Sequence, residues 1–188
     1  EPEPSEQEFD IGVELMDERE YEAAAQSFTA YLDNCRKGPE RDSALINRAY
    51  CFFHARKFRD ADKDFTAALQ SADDVQLRFY RGRSRLETGD ADGAIADFTA
   101  ALTAEPERLS ALLFRGKTYQ SADRHEEALA DFDALIQADS SDADARFCRS
   151  ESLLALKKPR EALAELVAAR DLGSERADET LRLLAGKI

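Results

Sequence analysis

The sequence predicts an all-α solenoid, about five helix-turn-helix repeats closed at the C-terminal end by one further helix. Three observations predict it. Gly (8) and Pro (5) are few and Trp is absent among 188 residues, while Ala, Leu, Glu and Arg, all strong helix formers, are abundant. An alanine recurs as Ala24, Ala61, Ala94, Ala128 and Ala162, at spacings of 37, 33, 34 and 34, and a period near 34 residues marks stacked helical hairpins. Four residues after each alanine stands Phe28, Phe65, Phe98, Phe132 or Leu166. With the apolar residues three and four positions further on, these draw one stripe along a helix.

Taken in order, residues 1–4 read as an extended acidic linker containing two prolines. The repeats then occupy about 5–38, 42–74, 75–108, 109–142 and 143–173. Each opens with a helix A that carries a small residue twelve positions before the alanine: Gly12, Ala49, Gly82, Gly116 or Ser150. A residue without bulk lets the two helices of a hairpin approach closely, and larger neighbours such as Leu45 and Phe52, or Leu112 and Tyr119, fill the space around the contact. Short polar pairs, Arg56-Lys57, Gly89-Asp90, Asp123-Arg124 and Lys157-Lys158, supply the turns into helix B. There the stripe runs on through Tyr31-Leu32, Ala68-Leu69, Ala101-Leu102, Leu135-Ile136 and Ala169. Pro106 ends the third repeat, because a proline cannot continue a helix. The long first spacing places an insertion within residues 36–40, which makes that segment the longest turn between repeats. Residues 174–188 form the last helix, with Ala177, Leu181, Leu184 and Ile188 on one face, as a cap for the final apolar surface.

The small residue of helix A, the aromatic three residues after it, the A-x-x-x-F of helix B and a proline at the repeat boundary are clearest in Gly116, Tyr119, Ala128, Phe132 and Pro106. Together they resemble the tetratricopeptide repeat. The resemblance covers roughly residues 5–174 and departs near the start of helix A, where Glu8, Leu45, Arg78, Leu112 and Arg146 replace the family's aromatic. It implies a right-handed α-solenoid whose A helices line a concave groove that receives a partner polypeptide. Register places Phe9, Val13, Ile46, Asn47, Tyr50, Phe79, Tyr80, Arg83, Leu113, Phe114 and Lys117 in that groove, followed by Phe147, Cys148 and Glu151. The candidate partner-binding set is Asn47, Tyr50, Phe79, Tyr80, Arg83, Leu113, Phe114 and Lys117. Phe79 and Phe147 admit a second reading, as packing between neighbouring A helices. Family members that hold the C-terminal carboxylate of heat-shock chaperones use a five-residue clamp. Only Asn47 matches it here, so that activity is not expected.

A charged pattern repeats beside the apolar one. Arg48, Arg81, Arg115 and Arg149 precede the small residue of helix A in repeats two to five, and sixteen residues after each comes Asp64, Asp97, Asp131 or Glu165. The first repeat has Ile11 and Ser27 instead, so both charges vanish together. Joint presence and absence predict a ladder of ion pairs between helices A and B, within or between repeats, and guanidinium suits such half-buried bidentate pairing; the alternative is that these arginines face a ligand.

Other function classes find little support. A formal charge of −13 repels phosphate backbones and anionic membrane surfaces, and no apolar run reaches the length of a membrane helix. No nucleic acid and no direct membrane insertion of this segment are expected. The two histidines, His54 and His125, belong to no nucleophile or ligand motif, and no phosphate-cradling glycine loop is present. Asp90-Ala91-Asp92-Gly93 lacks the remaining ligands of a calcium loop. Cys35, Cys51 and Cys148 form no C-x-x-C pair and are expected as free thiols; a Cys35–Cys51 bridge is excluded because helix geometry puts Cys51 about 13 Å from the turn that follows Cys35. No catalytic residue, cofactor or metal is therefore expected. The sequence points to an adaptor, scaffold or assembly factor that binds a protein or peptide as a monomer or weak homo-oligomer. Self-association, or service as the regulatory arm of a larger enzyme, stands as the alternative. The chain opens on Glu1 without an initiator Met, so a cytoplasmic protein and an exported or anchored parent are both compatible with it.

Overall fold

The computed structural model describes residues 4–34 and 39–185. Among these the chain forms eleven α-helices and no strand: α1 (Pro4–Asp17), α2 (Tyr21–Asn34), α3 (Pro39–His54), α4 (Phe58–Ala68), α5 (Val75–Thr88), α6 (Ala91–Ala104), α7 (Leu109–Ser121), α8 (His125–Ala138), α9 (Ala143–Ala155), α10 (Pro159–Asp171) and α11 (Glu175–Ala185). They fall into two compact units, Glu1–Ala104 with α1 to α6 and Glu105–Ile188 with α7 to α11. Within the first unit each helix packs on the next, and the odd-numbered helices α1, α3 and α5 also meet. The second unit repeats the scheme: α7 and α8 pair, α9 and α10 pair, α7 touches α9, and α11 lies on α10.

Each hairpin closes on the alanine-phenylalanine stripe. Ala24, Phe28, Ala61, Phe65, Ala94 and Phe98 in the first unit, and Ala128, Phe132, Ala162 and Leu166 in the second, are all 0% exposed. The helix A glycines make room for the rings. A methyl group built on Gly12 would lie 2.8 Å from the Phe28 ring, on Gly82 2.9 Å from Phe98, and on Gly116 2.8 Å from Phe132. Where the small residue is Ala49 or Ser150 it is likewise buried.

The turns between helices A and B share one backbone device. Arg19, Arg56, Gly89, Asp123 and Lys157 each adopt positive φ, between 56° and 83°. The next amide then donates back five residues, Lys57 to the Phe52 carbonyl at 2.7 Å and Arg124 to that of Tyr119 at 2.8 Å, which satisfies carbonyls left open at the helix end. Gly173 (φ 94°) does the same before α11. Only one of the five hairpin turns uses the residue that takes this conformation without strain.

Two expectations shift at the ends. Helix α1 already begins at Pro4, where a proline is tolerated in the first turn, so that residue belongs to the helix and not to a linker. In α11, Ala177 is buried and Leu181 packs against the core, but Leu184 is 37% exposed. Pro39 and Glu40, expected within the inter-repeat turn, instead open α3; residues 1–3, Cys35 with the rest of the expected insertion, and Ile188 lie outside the described residues.

Replacing Arg56 or Lys157 by Gly removes a steric penalty of about 1–2 kcal/mol against a smaller entropic loss. Thermal melts should show each variant stabilised by about 0.5–1 kcal/mol, or roughly 1–3 °C.

Candidate functional site

Charged contacts set which face of each helix is occupied. In the first unit Arg48 donates from Nε and Nη2 to both carboxylate oxygens of Asp64, at 2.7 and 2.9 Å, and from Nη1 to Thr29 Oγ1 at 3.0 Å. Arg81 does the same to Asp97, at 2.9 and 2.6 Å, and to Thr66 Oγ1 at 3.3 Å. Each guanidinium thus grips its own helix B and the helix B before it. Asp97, 2% exposed, takes a second guanidinium from Arg85 at 3.0 Å, and Arg85 also reaches Asp62 at 2.9 Å. In the second unit Arg115 holds Asp131 at 2.9 and 2.6 Å, while Arg149 holds Glu165 at 2.8 Å and reaches back to Asp133. Arg146 adds a second contact to Glu165 at 3.1 Å.

With that face committed to pairing, helix A of the first unit presents a neighbouring strip of aromatic and polar side chains. Tyr80 stands with its ring 4.9 Å from Tyr50 and 5.0 Å from Phe53, both edge to face. The Arg83 guanidinium lies over the Phe53 ring at 4.7 Å. Tyr50, Tyr80, Arg83 and Asn47 all remain partly exposed. Burial is the largest influence on Arg83 and lowers its pKa, with Tyr80 and Glu87 acting in the opposite sense. Phe79 adjoins this strip, 5.6 Å from the Tyr80 ring, but is itself buried. It is 6% exposed and turns toward Phe98, 5.8 Å away, because its place on helix A lies close to the seam with its own helix B. Phe9 likewise packs edge to face on Phe28 and Tyr31.

The second unit places Leu113, Phe114 and Lys117 on α7, all half-buried, with the Lys117 ammonium 6.0 Å from the Phe114 ring. On α9 Phe147 is buried, covered by the Arg176 guanidinium 4.1 Å from its centroid. Cys148 is also buried, and Gln120 donates to its carbonyl at 2.7 Å. Glu151 stays exposed, with Arg176 3.7 Å away; burial raises its carboxyl pKa, while Arg176 and Lys117 pull the other way.

Burial pushes the thiol of Cys51 up to about 12 and that of Cys148 to about 11, so both stay protonated at neutral pH and serve as small core residues. Both are free, while Cys35 lies outside the described residues. Asp90 accepts the Gly93 amide at 3.0 Å and thereby caps α6. Its carboxylate is occupied in starting a helix. Among the described residues no cluster of three or more His, Cys, Asp or Glu is arranged to hold a metal ion.

The tetratricopeptide-repeat sequence profile matches residues 9–75, 53–108, 79–143 and 115–177 in overlapping copies. The chain belongs to the tetratricopeptide-repeat family. No curated protein sequence matches it. Solved tetratricopeptide-repeat structures nevertheless superpose over nearly the whole length. A structure described as MamA protein matches at 15% identity over 93% of this chain and 94% of its own, with a TM-score of 0.79. YrrB, described as a TPR protein with an unusual peptide-binding site, matches at 19% identity over 96% and 91%, with a TM-score of 0.80. At these identities the likeness shows the fold, an all-α solenoid of tetratricopeptide hairpins.

Sequence reasoning missed the second grip of the ladder arginines. Thr29, Thr66 and Asp133 each stand one residue after the helix B phenylalanine, so a repeated short polar residue was the available signal. It also missed His54, which stacks on Tyr21 at 4.7 Å and meets Phe53 edge to face, and Arg176 over Phe147.

Double-mutant cycles read by denaturation should give a coupling of about 2 kcal/mol for Arg115 with Asp131. The coupling of Arg81 with Asp97 should be smaller, because Arg85 still neutralises Asp97 when Arg81 is removed.

Proposed function

We propose that this chain is a protein-interaction module, an adaptor, scaffold or assembly factor, which receives a peptide or helix of its partner on the exposed faces of its A helices. The observation that carries this reading is the Tyr50, Tyr80 and Arg83 cluster with Asn47 beside it. Aromatic rings and a guanidinium, held rigid by mutual packing yet still reachable from solvent, are the side chains that most often anchor an interface. Both tyrosines also pack against the core Phe65, at 5.3 and 6.2 Å, and so serve the hairpin on one side while remaining partly exposed on the other. Leu113, Phe114 and Lys117 offer the corresponding surface on the second unit, where apolar area beside an ammonium suits an amphipathic segment.

Membership of the tetratricopeptide-repeat family supports this class of function, as does the fold likeness to YrrB, a protein described by its peptide-binding site. The reading assigns no catalytic role. A net charge of −13 further favours a polypeptide ligand over nucleic acid, and no helix among the described residues is long and apolar enough to cross a membrane. In this reading the protein works as a monomer or a weak homo-oligomer.

The test is affinity capture from native extract, read by mass spectrometry, with the intact chain, a Tyr80→Ala/Arg83→Glu variant and a Lys117→Glu variant, each first shown folded by circular dichroism. A protein captured by the intact chain and lost with one variant would assign the ligand to that unit's A-helix face. Capture of the same set by all three would contradict the reading. Self-association through the exposed Leu163, Leu172 and Leu183 would then explain the surface better.

A further inference from the structure

We propose that the A-helix face of the second unit binds an arginine side chain of its partner, stacked on the Phe147 ring and paired with Glu151, in the place that Arg176 of α11 fills in the unbound chain. The inference deepens the peptide-binding reading of that face and rests on it.

A side chain of the protein itself marks where the ligand group would lie. The Arg176 guanidinium stands over the Phe147 ring, 4.1 Å from its centroid, and 3.7 Å from a carboxylate oxygen of Glu151. Ring and carboxylate both belong to α9, four residues apart and therefore on one face of the helix. A planar cation satisfies the two together, the ring through its quadrupole and the acid through charge-assisted hydrogen bonds. Phe147 is 5% exposed beneath this cover, whereas the side chains of Arg176 and Glu151 are 58% and 45% exposed. The cover is the accessible part of the site.

Arg176 holds that place loosely. In the same unit the ladder arginines Arg115 and Arg149 approach their carboxylates to 2.6 and 2.8 Å, the range of a charge-assisted hydrogen bond, and Arg176 at 3.7 Å falls outside it. It also stands in the first turn of α11, where the helix dipole disfavours a cation. Its side chain can leave without undocking the helix, because α11 is seated through Ala177, 0% exposed, and Leu181. A neighbouring cleft of about 530 Å³, lined by Asp139, Asp142, Asp144 and Glu175, receives the displaced guanidinium. An arginine of the partner, with no tether to α11, reaches Glu151 at hydrogen-bonding distance while it stacks on Phe147. Burial raises the carboxyl pKa of Glu151 against the pull of Arg176 and Lys117, so this carboxylate gains more from a close cation than one in open water. At long range the net charge of −13 draws a basic segment toward the chain.

The inference is tested with a random dodecapeptide library displayed on phage, panned against the intact chain at physiological salt and sequenced. Enriched peptides should include a class that carries Arg, and replacing that Arg by Gln in a synthetic copy should weaken binding roughly 10-fold. Glu151→Gln should abolish the Arg preference; its side chain is exposed, so this variant tests the site even if changes at Arg176 disturb the last helix. Arg176→Ala, with its circular dichroism unaltered, should bind the Arg peptide several-fold more tightly, the reverse of what losing a merely structural residue does. Enriched peptides without an Arg preference, a preference kept in Glu151→Gln, or binding left unchanged or weakened by a folded Arg176→Ala overturns this proposal and leaves the peptide-binding reading standing. Enrichment no greater than on the bare support overturns both.

Discussion

A phenylalanine ring seated against a residue without a side chain is the contact on which this architecture depends. Phe28, Phe98 and Phe132 press on Gly12, Gly82 and Gly116 so closely that one added methyl would sit under 3 Å from the ring. That approach brings helices A and B together, buries the alanine one turn before each ring, and positions the arginine next to the glycine opposite the acid next to the phenylalanine. Burial of apolar surface is non-directional. Here the missing side chain converts it into a fixed register between two helices.

The ion pairs add direction to that register. An arginine that reaches its own helix B and the preceding one ties consecutive hairpins together, and the low exposure of Asp97 and Asp131 makes an unpaired partner costly. In the first repeat of the first unit, Ile11 stands at the arginine's place and is 44% exposed. Pairing and ring packing together occupy the inner faces of helix A. In the proposed reading, recognition falls to the strip that carries Asn47, Tyr50, Tyr80 and Arg83.

The fold was legible in the sequence because its period is written in residues with one physical task each. Ala24, Ala61, Ala94, Ala128 and Ala162 are buried without exception, and only a small residue fits that position. The turns were legible as polar pairs but not as left-handed turns, since Arg19, Arg56, Asp123 and Lys157 adopt a conformation that glycine would have advertised. The candidate site was harder to read. Phe79 and Tyr80 are adjacent in sequence, and a rotation of 100° about the helix decides which ring fills the seam and which faces outward. Hydrophobicity cannot separate them. His54 carries no repeated counterpart at all, so a search for periodicity passes over it, and Arg176 belongs to the last helix, where the repeat pattern stops.

The two roles divided between the helices make the central claim: helix B carries stability and the outer strip of helix A carries recognition. Site-directed photo-crosslinking tests this most directly, with a benzophenone side chain placed either at Asn47 on helix A or at the exposed Lys63 on helix B and irradiation in native extract. The account predicts a discrete crosslinked partner from position 47 and none from position 63. A partner captured from position 63, or equally from both, would contradict it.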